Sequence, residues 1–115
     1  NFIECKRDVP FFQIGEHKYG RPILDRTVTP KTSLDEATKI GFLSFDASIR
    51  SNLAVGRPID LMVMPTRGRT LRRRIEEDDA YFNDLSARWG DLLHHAAAAI
   101  PDPPWMNELG LPEER

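Results

Sequence analysis

One cysteine, Cys5, stands among 115 residues. It excludes an intrachain disulfide and suits a reducing cytoplasm, which is the expected location. No uninterrupted apolar run approaches the ~18 residues of a membrane-spanning helix, so no membrane partner is expected. Neither sign of charge dominates: 16 Lys and Arg face 18 Asp and Glu, for a net charge of −2. No overall field therefore draws the chain to nucleic acid or to an anionic surface. Internal repeats are absent, and the run Ala96 to Ala99 is the one low-complexity tract. An initiator Met is absent too, and the chain opens on Asn1-Phe2-Ile3-Glu4-Cys5, an apolar run that reads as the middle of a strand. The expectation is that the N-terminal half of the domain precedes this chain; a short complete protein with its Met removed is the alternative.

What remains is globular: 40% hydrophobic and 30% charged residues, enough for one domain with a single core. The chain is organised around residues 32–64, where a helix, a polar loop and an apolar strand follow one another. Ser33 stands three residues before Glu36, the spacing of a capping box. Behind it Ala37, Ile40, Gly41, Ser44, Phe45, Ser48, Ile49 and Leu53 recur at helical spacing. The small members, Ala37, Gly41, Ser44 and Ser48, predict that another layer approaches the helix axis closely. Residues 52–58 stop the helix, with Gly56 available for positive φ and Pro58 unable to continue. Residues 59–64 are apolar except Asp60, which predicts a strand covered on both faces.

The flanks read as follows. Residues 2–5 and 10–15 predict two short strands around the charged turn Lys6-Arg7-Asp8, a first hairpin. A helix follows with Pro22 in its first turn, ending near Arg26. Residues 27–31 are expected to be extended, because Pro30 biases Thr29 away from the α region. Pro65-Thr66-Arg67-Gly68 is a turn, and residues 69–75 alternate Leu71, Arg73 and Ile75 against Thr70, Arg72 and Arg74, giving a second hairpin. Asp78 or Asp79 caps a last helix over residues 80–100, with a buried stripe of Phe82, Leu85, Trp89, Leu92, Ala96 and Ala99. Residues 102–115 form a Pro-rich, irregular tail in which Trp105, held by Pro103 and Pro104, has the character of an interface anchor. Hairpins alternating with helices make the class α+β.

The central stretch, a helix opening Ser33-Leu34-Asp35-Glu36-Ala37 and ending Arg50-Ser51-Asn52-Leu53-Ala54-Val55-Gly56 before Pro58-Ile59-Asp60-Leu61-Met62-Val63-Met64, resembles the second half of a proteasome-type β subunit. It resembles more closely the bacterial proteasome homologues called Anbu. Further pieces carry the same likeness: residues 1–4, the run Phe11 to Arg26, the run Arg72 to Phe82, and Pro101-Asp102-Pro103-Pro104-Trp105. The resemblance covers residues 1–105. It implies part of a four-layer α-β-β-α sandwich, the N-terminal-nucleophile hydrolase fold, with residues 1–101 in the domain and 102–115 as tail.

The resemblance further implies a threonine-type peptidase that assembles into a ring or helical ring and cleaves peptides or proteins without a cofactor. In that family the nucleophile is a threonine at the first residue of the mature chain, and its own α-amino group is the base. Asn1 has no nucleophilic side chain, so the nucleophile lies outside this segment. Two loops match parts of the family that approach it. In Gly15-Glu16-His17-Lys18, His17 takes the place of a serine; the alternative is an exposed histidine on a charged loop. In the helix-end loop, Ser51 falls where the proteasome pattern has aspartate and Ala54 where it has serine, and the glycine arrives one residue late. Ser51 and Asn52 are the candidates for holding a water or a backbone turn near the nucleophile. Their alternative role is to satisfy carbonyls at the helix end.

Other signals are weaker. His94 and His95 are neighbours on a helix and point about 100° apart, which suits a solvated pair rather than a zinc site. Arg67, Arg69, Arg72, Arg73 and Arg74 crowd the second hairpin, but Glu76, Glu77, Asp78 and Asp79 follow at once and screen the field, and no interleaved aromatic offers a stacking platform. Ion pairing is the expected role. Three functions follow: a peptidase subunit, a non-catalytic assembly member of the same fold, favoured by His17 and Ala54, or a small binding module using the arginine hairpin.

Overall fold

The computed structural model describes residues 7, 8, 10, 11 and 20–112. The order of elements is α1 (Arg21–Thr27), α2 (Leu34–Ser51), β1 (Ile59–Val63), β2 (Leu71–Ile75), α3 (Ala80–Ala99) and a 3-10 helix (Pro104–Leu109). This is a mixed α+β arrangement. The first expected hairpin lies almost entirely outside the described residues, and Pro10 and Phe11 belong to no element.

Helix α2 starts where its cap predicts. Ser33 is extended, and its Oγ accepts the amide of Glu36 at 3.1 Å. The reciprocal half of the box, from the Ser33 amide to the Glu36 carboxylate, is not formed. The buried residues of α2 are Ile40, Phe42, Ser44, Asp46 and Ser48, which is not the single stripe expected. Phe45 and Leu53 are exposed at 43% and 105%, whereas Phe42 and Asp46 are buried at 6% and 5%. The reason is that α2 has a neighbour on each side. Ser44 and Ser48 face Gly20 at the start of α1, while Phe42 meets Phe82 of α3 with ring centroids 5.6 Å apart.

The close approach predicted from small residues occurs at Ser44 and Ser48, but not at Gly41, where an added Cβ would meet nothing within 4 Å. It depends instead on Gly20, the residue before α1. A Cβ there would sit 2.5 Å from Ser44 Oγ, 2.8 Å from Ser48 Oγ and 3.1 Å from the Ser44 carbonyl. Pro22 lies in the first turn of α1, as expected. After α1, Val28 leads off extended. Pro30 and Lys31 form a turn, closed by the Thr32 amide on the Thr29 carbonyl at 3.0 Å. Pro30 thus excludes helix from the residue before it, yet sits comfortably in a turn.

Strands β1 and β2 pair antiparallel in the register Ile59↔Ile75, Asp60↔Arg74, Leu61↔Arg73, Met62↔Arg72 and Val63↔Leu71. The turn between them places Gly68 at φ 114°, a conformation that favours glycine. Ile59, Ile75, Phe42, Phe82 and Leu85 form the core, with Leu43, Ile49 and Leu61 packed against it. Among the described residues β1 is therefore covered on one face only. Asp60 and Met62 are exposed on the other face, because among the described residues the two-stranded sheet has α2 and α3 on one side and no element on the other.

Helix α3 is capped by Asp79, whose Oδ2 accepts the Phe82 amide at 2.8 Å. Its stripe buries Phe82 and Leu85 and half-buries Trp89, then leaves the core. Every residue from 90 to 112 is exposed, including Leu92, Ala96 and Ala99 of the expected stripe. The tail is not wholly irregular: Pro104 starts the 3-10 helix, and Gly110 closes it at φ 64°. The radius of gyration is 18.6 Å, against about 13 Å for a compact domain of this length. The accessible surface is 10114 Å², where a compact monomer of this mass exposes roughly 6,400 Å².

Candidate functional site

The helix-end loop is built by Asn52. Its amide still donates to the Ser48 carbonyl at 2.8 Å, while its backbone turns extended at φ −140° and ends α2. Its side-chain Oδ1 accepts the Ala54 amide at 2.9 Å, and its carbonyl accepts the Val55 amide at 3.1 Å. A short side chain that bonds the backbone two residues on is the mechanism of an Asx turn. The helix therefore ends without Gly56 at positive φ; among the described residues only Gly68 and Gly110 adopt it.

Two arginines fasten this loop to α3. Arg50 Nε donates to Asp46 Oδ2 at 3.3 Å, and its Nη2 donates to Ser86 Oγ at 2.9 Å. Ser86 Oγ in turn donates to Asp46 Oδ1 at 2.6 Å. The side chain of Asp46 is only 7% exposed, so these bonds satisfy a carboxylate that would otherwise be costly to bury. On the far side Arg57 Nη1 reaches Asn83 Oδ1 at 2.7 Å and the Glu76 carbonyl at 3.3 Å. The Arg57 guanidinium also stacks 4.9 Å above the Phe82 ring.

Of the three residues singled out in the sequence, Ser51 is exposed as the last residue of α2, and Asn52 is half-buried with its side chain committed to the loop. His17 lies outside the described residues, so the two loops are not seen together. Ala54 is exposed and presents a methyl group where the family pattern has a hydroxyl. Sequence reasoning missed Asp46, Ser86, Arg50 and Arg57 as the frame of the loop. The one visible signal was the pair of arginines flanking a polar segment. Their partners on α3, Ser86 and Asn83, lie 36 and 26 residues along the chain and share no local pattern with them.

The ion pairing expected of the five hairpin arginines is seen, among the described residues, at Arg74 alone. Arg74 pairs with Asp60 at 3.5 Å across the strands and with Glu76 at 3.3 Å. Arg72 and Arg74 share the open face, and Arg73 is on the other. A shallow hollow of about 550 Å³ is lined by Asp60, Leu61, Met62, Arg72, Arg73 and Arg74. His94 and His95 are exposed on α3. Among the described residues no group of three His, Cys, Asp or Glu could hold a metal ion, and no helix is long and apolar enough to cross a membrane.

Comparison with solved structures places this geometry. A mutant of Anbu (Gly-1) from Hyphomicrobium sp. strain MC1 is 51% identical, with a TM-score of 0.83, over 90% of this chain and 46% of that one. Anbu, described as an ancestral β-subunit, from Yersinia bercovieri is 41% identical with a TM-score of 0.81, over 90% and 45%. The Anbu complex of Pseudomonas aeruginosa, solved as a helical assembly, is 45% identical with a TM-score of 0.82, over 90% and 44%. No family model and no curated protein matches the chain. The chain is thus a homologue of the ancestral, proteasome-type β subunits. Within that class it is an Anbu homologue, and its α+β segment corresponds to part of the Anbu structure. It spans a little under half the length of those solved chains, and the full sandwich is not seen in it.

Proposed function

We propose that this segment belongs to a subunit of a self-assembling, proteasome-like peptidase whose N-terminal threonine lies outside residues 1–115. The observation that carries the reading is 51% identity over 90% of the chain to an Anbu subunit of matching fold. On this reading residues 1–101 belong to the subunit's sandwich domain and 102–115 are its tail. The substrate is a peptide or protein, and the single cysteine fits a cytoplasmic setting. In such a site the threonine hydroxyl attacks the peptide carbonyl while the α-amino group takes its proton. The helix-end loop contributes by position. Asn52 shapes it through Ala54, and Ser51 supplies an exposed hydroxyl at the helix end; His17 belongs to the second supporting loop.

The competing reading is a non-catalytic assembly member of the same fold, which the methyl group of Ala54 favours because it offers the amine no hydrogen bond. Single-turnover acylation of the N-terminal threonine in the full-length protein by a peptide β-lactone, read by intact mass, decides between them. Ala54→Ser is expected to raise the rate by roughly tenfold or less, below the ~10²–10⁴-fold that positioned proton-transfer partners contribute at most, because on this reading Ser51 and Asn52 hold a bridging water in part of that role. Ser51→Ala is expected to lower it with thermal stability unchanged. Absence of labelling in the parent protein, or rates unmoved by both substitutions, gives the assembly reading the lead.

A further inference from the structure

A second apolar surface lies between α2 and α3. Leu43, Tyr81, Leu85, Trp89 and Leu92 line a groove of about 480 Å³, with Lys39, Asp84 and Arg88 among its lining. That volume is in the range that encloses several apolar groups. Among the described residues only helix residues line it, so it is separate from the open sheet face on which further layers of a sandwich would stack. Arg88 is held by Asp84 at 2.7 Å, which leaves Lys39 as the cation not balanced within the groove.

The C-terminal arm presents the complementary surface. Trp105, Met106, Leu109 and Leu111 are 60%, 41%, 57% and 72% exposed. In a 3-10 helix side chains three apart eclipse, so Met106 and Leu109 form one column, with Trp105 and Glu108 in the column beside it. The arm's charged residues between 100 and 112 are Asp102 and Glu108, and no Lys or Arg is present there. An apolar column edged by acid matches an apolar groove with Lys39 at its rim. The arm does not reach the groove of its own chain. From Leu92 the rigid helix carries it about 12 Å further away before Ile100, and all of its apolar groups remain exposed.

We propose that the groove between α2 and α3 of one copy receives the C-terminal arm of the next copy, Trp105, Met106 and Leu109 entering and Glu108 facing Lys39. Arm and groove are different surfaces, so the contact is head-to-tail; such contacts propagate as open helices unless the rotation closes a ring. The homologue from Pseudomonas aeruginosa forms a helical assembly. The proposal rests on the self-assembly part of the reading above and adds the surfaces that carry it.

The test uses full-length protein with its native cysteines replaced by serine. Tyr81→Cys or Leu92→Cys marks the groove, and Met106→Cys marks the arm; the parent side chains are at least 41% exposed, so the fold tolerates the changes. A groove variant and the arm variant, carrying tags of different size, are co-expressed and mildly oxidised. The expected result is a disulfide joining a groove-marked chain to an arm-marked chain, in preference to either homodimer. Arm-to-arm bonds predominating, or no bond while the parent protein still sediments as an oligomer, overturns the groove assignment and leaves assembly standing. A parent protein that sediments as a monomer overturns both.

Discussion

Replacing Gly20 by alanine adds one methyl group at the close contact between α1 and α2. The backbone at Gly20 is ordinary right-handed helix, φ −84° and ψ −36°, so alanine meets no conformational penalty. By reducing the freedom of the unfolded chain, a compatible Gly→Ala change stabilises by ~0.4–1 kcal/mol. Against this, the new Cβ would sit 2.5 Å from Ser44 Oγ, 2.8 Å from Ser48 Oγ and 3.1 Å from the Ser44 carbonyl. The carbonyl belongs to the helix backbone and cannot turn aside, and the Ser48 hydroxyl is itself held on that carbonyl at 3.1 Å. Relief therefore requires α1 to move off α2, and overpacking of this kind costs typically ~1–3 kcal/mol. The net expectation is a loss of roughly 0.5–2 kcal/mol, the difference of the two effects. Urea unfolding of the full-length protein measures it as a lower midpoint at unchanged slope. Adding Ser44→Ala and Ser48→Ala removes the two nearest atoms and is expected to recover most of the loss, a coupling visible in a mutant cycle. A Gly20→Ala protein as stable as the parent, or a loss untouched by the serine changes, would refute the close-contact argument.

Phe82 is 2% exposed at the centre of the core, so Phe82→Ala is expected to lose about 3–5 kcal/mol, read by the same unfolding assay; a loss below 1 kcal/mol would contradict its place there. Asp46→Ala strands the Ser86 hydroxyl and the Arg50 guanidinium and is expected to cost about 1–3 kcal/mol, with Ser86→Ala costing less; equal stability of all three proteins would show the network to be idle. Residues 1–115 alone are expected to show no cooperative thermal transition as a soluble monomer. They bury only about half the surface of the unfolded chain, where a domain of this size needs roughly two-thirds; a sharp reversible transition would remove that argument. Trp105→Ala in the full-length protein is expected to shift sedimentation toward smaller species, and an unchanged distribution would count against the arm as a contact.

Local chemistry fixed the starts of the helices and the second hairpin. Ser33 and Asp79 name their helix starts because a capping oxygen three residues before the amide it accepts is a property of neighbours in sequence. The hairpin follows from alternation and from a turn that Gly68 alone can complete at φ 114°. The motif order of the central stretch was likewise enough to name Anbu, as the solved relatives bear out. Tertiary structure decided what periodicity could not. Helix α2 packs on two sides, so burial at Phe42, Asp46 and Ser48 obeys its neighbours α1 and α3 rather than one stripe. Helix α3 keeps its amphipathic pattern past Trp89, but among the described residues no layer lies beneath it there, and Leu92 is left 60% exposed. At the helix-end loop the sequence pointed to Ser51 and Asn52, with Gly56 ending the helix. Asn52 shapes the turn, Gly56 is not needed at positive φ, and Arg50 and Arg57 reach across to α3, because only the folded chain brings Ser86 and Asn83 within hydrogen-bond distance of those two arginines.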